Sequence, residues 1–234
     1  MYECNQFTRT ELALGKDGIE KLKNSKIVLF GLGGVGSYIA EALARVGVGN
    51  LIIVDGDTVD ITNINRQLIA NINTIGKNKA ELVKERISLI NPLANVVAIS
   101  KFVKSEDDID FIDGTVDYVI DAIDDFDAKI MIIKKAKELG LNLISSMGTA
   151  KRLHGDMFKI ADISKTKVCP LAKKMRRELK KLRINKVKVL YSDEVPAKMH
   201  EIDGYVGKSL GSVSFVPPVA GMLIAGEVVR DLLK

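Results

Sequence analysis

Short apolar runs alternate with longer amphipathic runs over about the first 150 residues of the chain. The first apolar run, 27–30, is followed by a segment in which Ile39, Leu43 and Val46 recur at helical spacing. Similar runs, separated by turns or amphipathic segments, predict further strands at 51–54, 94–99, 118–122 and 141–145. This order is typical of an α/β fold, and it predicts a doubly wound, mainly parallel, Rossmann-like sheet.

The last third of the chain predicts elements added to that sheet. They are, in order, a strand that leads out of the sheet at 155–163, a helix that begins at Pro170 and a strand at 186–191. The pattern at 211–216 predicts a closing strand, which Pro217 and Pro218 break, and 220–233 predicts a closing helix. A basic helical insertion and a closing strand and helix therefore complete the predicted core.

Glycines mark the junction between the first predicted strand and helix, at Gly31, Gly33, Gly34 and Gly36. In such a turn the first glycine permits the tight bend, the second lets a phosphate approach the backbone, and the last lets the helix pack on the strand. The helix N-terminus then presents unpaired N–H groups and a positive dipole end to an anion. Asp55 ends the next strand, about 20 residues further on, where its carboxylate can accept from ribose hydroxyls. The pattern favours nucleotide binding over a glycine turn that serves packing alone.

The polar segment 56–67 follows the second strand at its carboxyl end, where doubly wound sheets bind their ligands. It carries side chains suited to phosphate or ribose, namely Asn63, Asn65, Arg66 and Gln67. Arg66 can offer a guanidinium fork. Lys77 and Lys79 fall in the first turn of a helix predicted at 76–91, where positive charge opposes the helix dipole. Either an anion lies near these lysines or they are solvated.

Acidic residues lie at the carboxyl end of the predicted strand at 118–122, at Asp121, Asp124 and Asp125. Mg²⁺ typically takes one or two carboxylates together with phosphate oxygens and waters, so these acids are candidate ligands opposite a phosphate-binding turn. Asp124 or Asp125 can instead cap the helix predicted at 128–139. The residues alone leave this choice open.

The net charge of +5 is concentrated in one segment. Residues 164–190 contain eleven Lys or Arg and one acid, Glu178, whereas the rest of the chain carries 24 basic and 29 acidic groups. A solvated surface helix normally intersperses acids, so the asymmetry favours a nucleic-acid partner over an acidic protein or a membrane surface. The candidate RNA-binding residues are Lys173, Lys174, Arg176, Arg177, Lys180, Lys181 and Arg183. The predicted helix has no aromatic side chain, so we expect phosphate contacts rather than base stacking.

The sequence also lacks several signals. No apolar run reaches the ~18 residues of a membrane span without polar interruption, so we expect no integral membrane segment. The chain starts without a charged-then-apolar leader, which predicts a cytoplasmic protein. Its two cysteines, Cys4 and Cys169, belong to no CxxC pair, which excludes a four-cysteine zinc site.

Four motifs make the chain resemble the ubiquitin-activating-enzyme-like (HesA/MoeB/ThiF) superfamily, whose bacterial members adenylate a carboxylate with ATP. They are GLGGVGS at 31–37, VDGDTVDITNINRQ at 54–67, GKNKAE at 76–81 and VIDAIDD at 119–125. The resemblance implies that Asp55 holds the ATP ribose and that Arg66 and Lys79 hold the triphosphate. It also implies that Asp124 holds Mg²⁺. Arg9 matches an N-terminal arginine that, in this superfamily, reaches into a partner subunit's site, which implies a homodimer.

The resemblance therefore implies two sets of site residues. Those expected to act in catalysis are Arg9, Arg66, Lys79 and Asp124. Those expected at the nucleotide are Gly31, Gly33, Gly34, Gly36, Asp55, Asp57, Asn63, Asn65, Arg66, Gln67 and Lys79.

Within the superfamily the chain is most similar to the subfamily that dehydrates threonylcarbamoyladenosine in tRNA. The matching segments are FTRTELALG near the start, DISKTKVCPLAKKMRRELKK in the basic region and GSVSFVPPVAG near the end. The implied reaction is an ATP-dependent cyclodehydration through an acyl-adenylate. The rival hypotheses are an adenylating enzyme for a ubiquitin-like sulfur-carrier protein, an NAD-dependent oxidoreductase and a non-catalytic, nucleotide-gated RNA-binding module.

Cys169 departs from the subfamily, where we expect Asp before Pro-Leu. We interpret it as a structural cysteine rather than a thioester nucleophile. We divide the chain into an ATP-binding adenylating core at 1–163, a basic RNA-binding segment at 164–190, and a strand and helix at 191–234 that complete the core.

Overall fold

The sheet is built from strands within residues 3–207 and 210–234, the part of the chain that the computed structural model describes. The strands are β1 Lys26–Phe30, β2 Asn50–Val54, β3 Asn95–Ile99, β4 Tyr118–Asp121, β5 Asn142–Ser146, β6 Phe158–Asp162 and β7 Lys188–Ser192. Their order is β3-β2-β1-β4-β5-β7-β6, and all neighbours run parallel except β6 and β7. The order reverses between β1 and β4, and doubly wound sheets bind ligands at such a switch point. The predicted fold class is confirmed.

Helices cover both faces of this sheet. They are α1 Thr8–Asn24, α2 Gly36–Val46, α3 Lys79–Ile90, α4 Phe126–Glu138, α5 Pro170–Lys181 and α6 Val216–Leu232. Helices α1, α2, α3 and α6 pack on one face, and α4 and α5 pack on the other. Across the described parts of the chain, no helix combines the length and apolar character needed to span a bilayer.

Alternate residues of the central strands enter two separate cores. In β1, Ile27 and Leu29 belong to the core beneath α2 and α6, whereas Val28 and Phe30 belong to the core beneath α4 and α5. All four side chains are fully buried. A strand covered on both faces needs apolar residues at every position, which explains the unbroken apolar run in the sequence.

The strand predicted to leave the sheet is instead its edge strand. In β6, Ile160 lies opposite Leu190 of β7, and the two strands run antiparallel. Phe158 and Ile160 pack on the core beneath α2 and α6, so the strand gains apolar contacts by pairing with the sheet. The prediction that it leads away was wrong.

The closing strand predicted at 211–216 was also wrong, because residues 211–215 form no strand and α6 already begins at Val216. The side chain of Asn65 donates to the carbonyl of Ser212 over 2.9 Å, and the N–H of Lys151 donates to the carbonyl of Gly211 over 2.9 Å. These backbone carbonyls therefore accept hydrogen bonds from two loops rather than from a neighbouring strand. Both prolines fall in the first turn of α6, where a missing N–H leaves no helical hydrogen bond unmade.

Candidate functional site

Two glycines of the turn between β1 and α2 are required by the fold itself. Gly31 has a φ of +84°, and a Cβ there would lie 2.7 Å from the carbonyl oxygen of Ala122. A Cβ at Gly36 would lie 1.7 Å from the carbonyl oxygen of Gly31. Any side chain at either position would separate α2 from β1 and from the chain leaving β4.

Gly33 faces open space instead. A Cβ there would meet only the Nε2 atom of Gln67, at an ordinary contact distance of 3.7 Å. Among the described residues, no acceptor takes the backbone N–H groups of Gly33, Gly34 or Val35, and no side chain caps α2. These N–H groups and the positive end of the helix dipole are arranged to bind an anion.

Asp55 is fixed beside the turn by two backbone N–H groups. Its Oδ2 accepts from Leu32 over 2.6 Å, and its Oδ1 accepts from Asp57 over 2.8 Å. Burial raises the pKa of the Asp55 carboxyl, and the two N–H groups and the charge of Lys79 oppose that increase. Each carboxylate oxygen keeps a lone pair that can accept from a hydroxyl.

Arg66 lies in a loop beside the turn, and Lys79, the first residue of α3, lies near Asp55 and Asp57. A Cβ at Gly34 would lie 3.2 Å from Cγ of Arg66, so the arginine stem passes over the turn. Its Nη1 donates to the carbonyl of Thr62 over 2.9 Å, which leaves other guanidinium donors available. Lys79 is buried, and its Nζ lies 2.9 Å from Oδ2 of Asp57.

The alternative that both lysines are solvated is therefore wrong for Lys79. Helix α3 begins at Lys79, capped by Asn78, so Lys77 lies outside its first turn and is exposed. Burial of a lysine ammonium requires a compensating charge, and Asp57 supplies one within the protein.

The remaining polar residues of this loop have different environments. Asn63 accepts from the N–H of Asp60 over 3.1 Å, and Asn65 donates to Ser212, so both hold the loop in place. Gln67 is buried, and its Oε1 has no hydrogen-bond partner among the described residues. Gln67 therefore lies beside Gly33 with an acceptor that a donor from a ligand or a water can satisfy.

The three acids at the carboxyl end of β4 have three different environments. Asp121 is fully buried and pairs with Lys129, whose Nζ lies 2.9 Å from its Oδ2. Asp125 caps α4 by accepting from the N–H of Ala128 over 2.8 Å. Asp124 is exposed and has no ion pair or hydrogen bond to the described part of the chain. Only Asp124 is left with a free carboxylate, and its role as a metal ligand stays a prediction.

Arg9 is not brought to this site within one protomer. It is exposed on α1, upstream of a break in the helix at Gly15, and it contacts no site residue that the structure describes. Its predicted role therefore depends on a second subunit.

The basic segment folds as helix α5 with an exposed cationic face. Ala172, Met175 and Leu179 are buried, whereas Leu182, just after the last residue of the helix, is 43% exposed. Together with neighbouring loops the helix lines a groove of about 740 Å³ whose basic side chains are Lys165, Lys173, Arg176, Arg177, Lys180 and Lys186.

The basic side chains of this helix differ in whether they contact other parts of the protein. Arg176 is half-buried and donates to the carbonyl oxygen of Thr166 over 3.0 Å, so it anchors the helix. Lys174 lies over the ring of Phe126, and Lys181 pairs with Glu178 over 2.8 Å. The exposed cations without such contacts among the described residues are Lys173, Arg177, Lys180 and Arg183.

Sequence reasoning missed Lys129. Its Nζ bonds both oxygens of Asp121 and the carbonyl of Ser146, which joins the ends of β4 and β5. The available signal was a lysine among Ala128, Ile132 and Ile133 on the apolar face of α4. A charge at such a position needs a buried partner of opposite sign.

The sequence profile of the ThiF family matches residues 7–234, so the chain belongs to the ThiF family. It is 47% identical over 242 residues to the tRNA threonylcarbamoyladenosine dehydratase of Bacillus subtilis, covering 98% of this chain and 95% of that protein. Its structure resembles the crystal structure of Escherichia coli tRNA N6-threonylcarbamoyladenosine dehydratase in complex with AMP, with a TM-score of 0.89, 30% identity, and 97% and 94% of the two chains covered. The ATP complex of that enzyme gives a TM-score of 0.88, 29% identity, and coverage of 97% and 93%. The predicted family is confirmed.

We expect Lys129→Met to lower the free energy of unfolding by about 3–5 kcal/mol, because it leaves the carboxylate of Asp121 buried without a counter-charge. Urea denaturation followed by circular dichroism measures the change. Lys134 is the matched control, because it is a half-exposed lysine of the same helix α4 that pairs with Glu106 outside it, and Lys134→Met should stay within about 1 kcal/mol of wild type.

Adding Asp121→Asn to Lys129→Met should recover part of the lost stability, because the unpaired buried charge is then removed. Equal, small losses for the variants at Lys129 and Lys134 would contradict the importance of this ion pair.

Proposed function

We propose that this chain is an ATP-dependent enzyme that cyclodehydrates threonylcarbamoyladenosine next to the tRNA anticodon. The observation that carries the proposal is the open turn at Gly33, flanked by Arg66 and Lys79. Support comes from the match of 97% of this chain to a tRNA threonylcarbamoyladenosine dehydratase crystallised with ATP. The products are the cyclic nucleoside, AMP and pyrophosphate.

The first proposed step is adenylation of the threonyl carboxylate. A carboxylate oxygen attacks the α-phosphorus of ATP, the bond to pyrophosphate breaks, and an acyl-adenylate forms. Adenylation is needed because a carboxylate lacks a good leaving group. The N–H groups of the glycine turn, together with Arg66 and Lys79, stabilise the negative charge that develops on the phosphates.

The second proposed step is ring closure within the modified nucleoside. A nearby atom of the same modification attacks the activated carbonyl, loses its proton, and releases AMP. Effective molarities of about 10⁵–10⁸ M for well-oriented groups make an enzyme nucleophile unnecessary. Cys169 supports this view, because its side chain is buried in the core beneath α5.

Mg²⁺ fits the residues at the carboxyl end of β4. The described residues contain no group of three His, Cys, Asp or Glu side chains that could cage a metal. A magnesium ion needs only one or two carboxylates when phosphate oxygens and waters complete its shell, and Asp124 offers a free carboxylate. We therefore propose Asp124 as the ligand, with the ion neutralising phosphate charge when bound.

We propose that residues 164–190 bind the tRNA through its phosphates. Support comes from the cationic face of α5 and from the groove that it lines. The same segment favours a tRNA substrate over a sulfur-carrier protein, because a protein C-terminus offers no extended polyanion.

We also propose a homodimer in which Arg9 completes the partner's site. Support comes from the free position of Arg9 on α1 and from exposed apolar side chains at Phe215, Val219, Met222 and Leu223, which a second copy could bury. Mixing an inactive Arg9→Ala variant with an inactive Lys79→Ala variant should restore about a quarter of wild-type activity, because half the dimers are mixed and each has one intact site. If the subunits exchange and the mixture still has no activity, this arrangement is wrong.

The decisive measurement is AMP release in the presence of ATP, Mg²⁺ and tRNA. We expect AMP with tRNA that carries threonylcarbamoyladenosine and none with the same tRNA lacking it. Asp124→Asn should slow the reaction about 100-fold or more, whereas Asp127→Asn, an exposed acid in the first turn of α4, should not. AMP release driven by a carrier protein, or reduction of a nicotinamide cofactor in place of AMP release, would overturn the proposal.

A paired glycine test separates ligand binding from folding. Gly33→Ala should keep the wild-type melting temperature but weaken ATP binding about tenfold or more, because its Cβ enters only the space proposed for phosphate. Gly114→Ala, whose Cβ would meet no atom within 4 Å, is the control and should leave ATP binding unchanged. Isothermal titration calorimetry measures both, and normal ATP affinity in Gly33→Ala would place the nucleotide elsewhere.

Replacing Lys173, Arg177, Lys180 and Arg183 by Gln should weaken tRNA binding and flatten its salt dependence, by about one unit of slope for each lost phosphate contact. In a control variant, four exposed lysines elsewhere are also replaced by Gln, so that the two variants lose the same total charge. These are Lys16, Lys84, Lys101 and Lys198. Filter binding across salt concentrations measures both slopes. Equal slopes for the two variants would show that net charge, not this face of α5, governs binding.

A further inference from the structure

Arg152 is a buried cation that the proposed chemistry does not use. It lies in the loop after β5, and only 3% of its surface is exposed. Its Nη1 donates to the backbone carbonyl of Glu194, while its Nε is buried without an acceptor. No carboxylate in residues 3–207 or 210–234 lies within ion-pair distance of its guanidinium.

The neighbouring acids form no ion pair with Arg152, although one of their oxygens is itself unpaired. The carboxylate of Glu194 accepts from the N–H groups of Leu153 and His154, over 2.9 and 3.1 Å. Oδ2 of Asp193 pairs with Lys159, whereas its Oδ1 is buried without a hydrogen-bond partner. Neither acid forms an ion pair with the guanidinium of Arg152 among the described residues.

A purely structural role explains this arrangement poorly. One hydrogen bond to a carbonyl needs no positive charge, and burying an uncompensated charge is expensive in free energy. The donors on Nε and Nη2 lie on one edge of the guanidinium, and neither has a partner among the described residues. That edge is the fork with which arginine binds a carboxylate or phosphate through two parallel hydrogen bonds.

The location of Arg152 connects it to the proposed ATP site. Its loop leaves the carboxyl end of β5, which is two strands from β1, or about 10 Å at normal strand spacing. Lys151 donates to Gly211, and Asn65, next to Arg66, donates to Ser212. The segment 211–212 therefore ties the loop of Arg152 to the loop of Arg66.

We propose that the Nε–Nη2 edge of Arg152 binds an oxyanion of the acceptor substrate, either the carboxylate to be activated or a neighbouring RNA phosphate. This inference rests on the proposed function. The bound oxyanion neutralises the buried guanidinium, and Arg152 holds the acceptor on the β5 side of the nucleotide.

The test uses the full chain with Arg152→Met, which removes the charge and keeps the apolar stem. Arg230→Met is the control, because it makes the same replacement at an exposed arginine in the last turn of α6. We expect an unchanged or higher melting temperature for Arg152→Met, unchanged ATP affinity, and a KM for the modified tRNA raised about 10- to 100-fold.

Binding of the same tRNA with and without the modification identifies the oxyanion. Weaker binding of modified tRNA alone points to the carboxylate, and equal weakening of both points to a phosphate. If Arg152→Met does not fold, Arg152→Lys carries the test, because it keeps the charge but loses the fork and should raise KM about tenfold.

Unchanged KM and unchanged binding of both tRNAs would overturn the role of Arg152, as would a lower melting temperature with normal KM. A wild-type protein that releases no AMP with modified tRNA would instead overturn the proposed function. In that case the two binding measurements alone decide whether Arg152 holds an oxyanion.

Discussion

The close approach of α2 to the end of β1 is the constraint on which the site depends. It exists because Gly31 and Gly36 carry no side chain, so backbone meets backbone where the order of the sheet reverses. The approach directs the first N–H groups of α2 toward the carboxyl edge of the sheet. Asp55, through its bond to Leu32, fixes the same turn from the neighbouring strand. A nucleotide site of this kind is thus a by-product of packing a helix tightly on a strand.

Elements buried on both faces of the sheet could be predicted from the sequence, whereas those held by individual polar contacts could not. The run at 27–30 has no polar residue and forms most of β1, because its successive side chains are buried alternately in the two cores on either face of the sheet. The pattern at 211–216 also resembles a strand, but Asn65 and Lys151 donate hydrogen bonds to two of its backbone carbonyls, and no neighbouring strand pairs with it among the described residues. Such contacts join residues far apart in the sequence, and local periodicity contains no information about them.

In the candidate site, too, residues in local motifs could be predicted, whereas roles set by contacts between distant residues could not. The glycines and Asp55 could be singled out because motif spacing places them at adjacent strand ends, and Lys79 because it falls in the first turn of a predicted helix. The acids at the carboxyl end of β4 could not be ranked, because their environments depend on Lys129 and on the start of α4. Arg152 could not be singled out from the sequence, because what distinguishes it is a buried Nε donor that has no acceptor in the fold among the described residues.

The pair formed by Asp57 and Lys79 has a consequence for ligand exchange. Because Asp57 is half-exposed and Lys79 is buried, the aspartate is the member of the pair whose side chain has room to turn toward solvent. In the function proposed above, a phosphate that binds at Lys79 displaces Asp57 toward solvent, and the buried ammonium stays paired with an anion throughout the exchange. The carboxylate of Asp57 then neutralises Lys79 whenever no phosphate is bound.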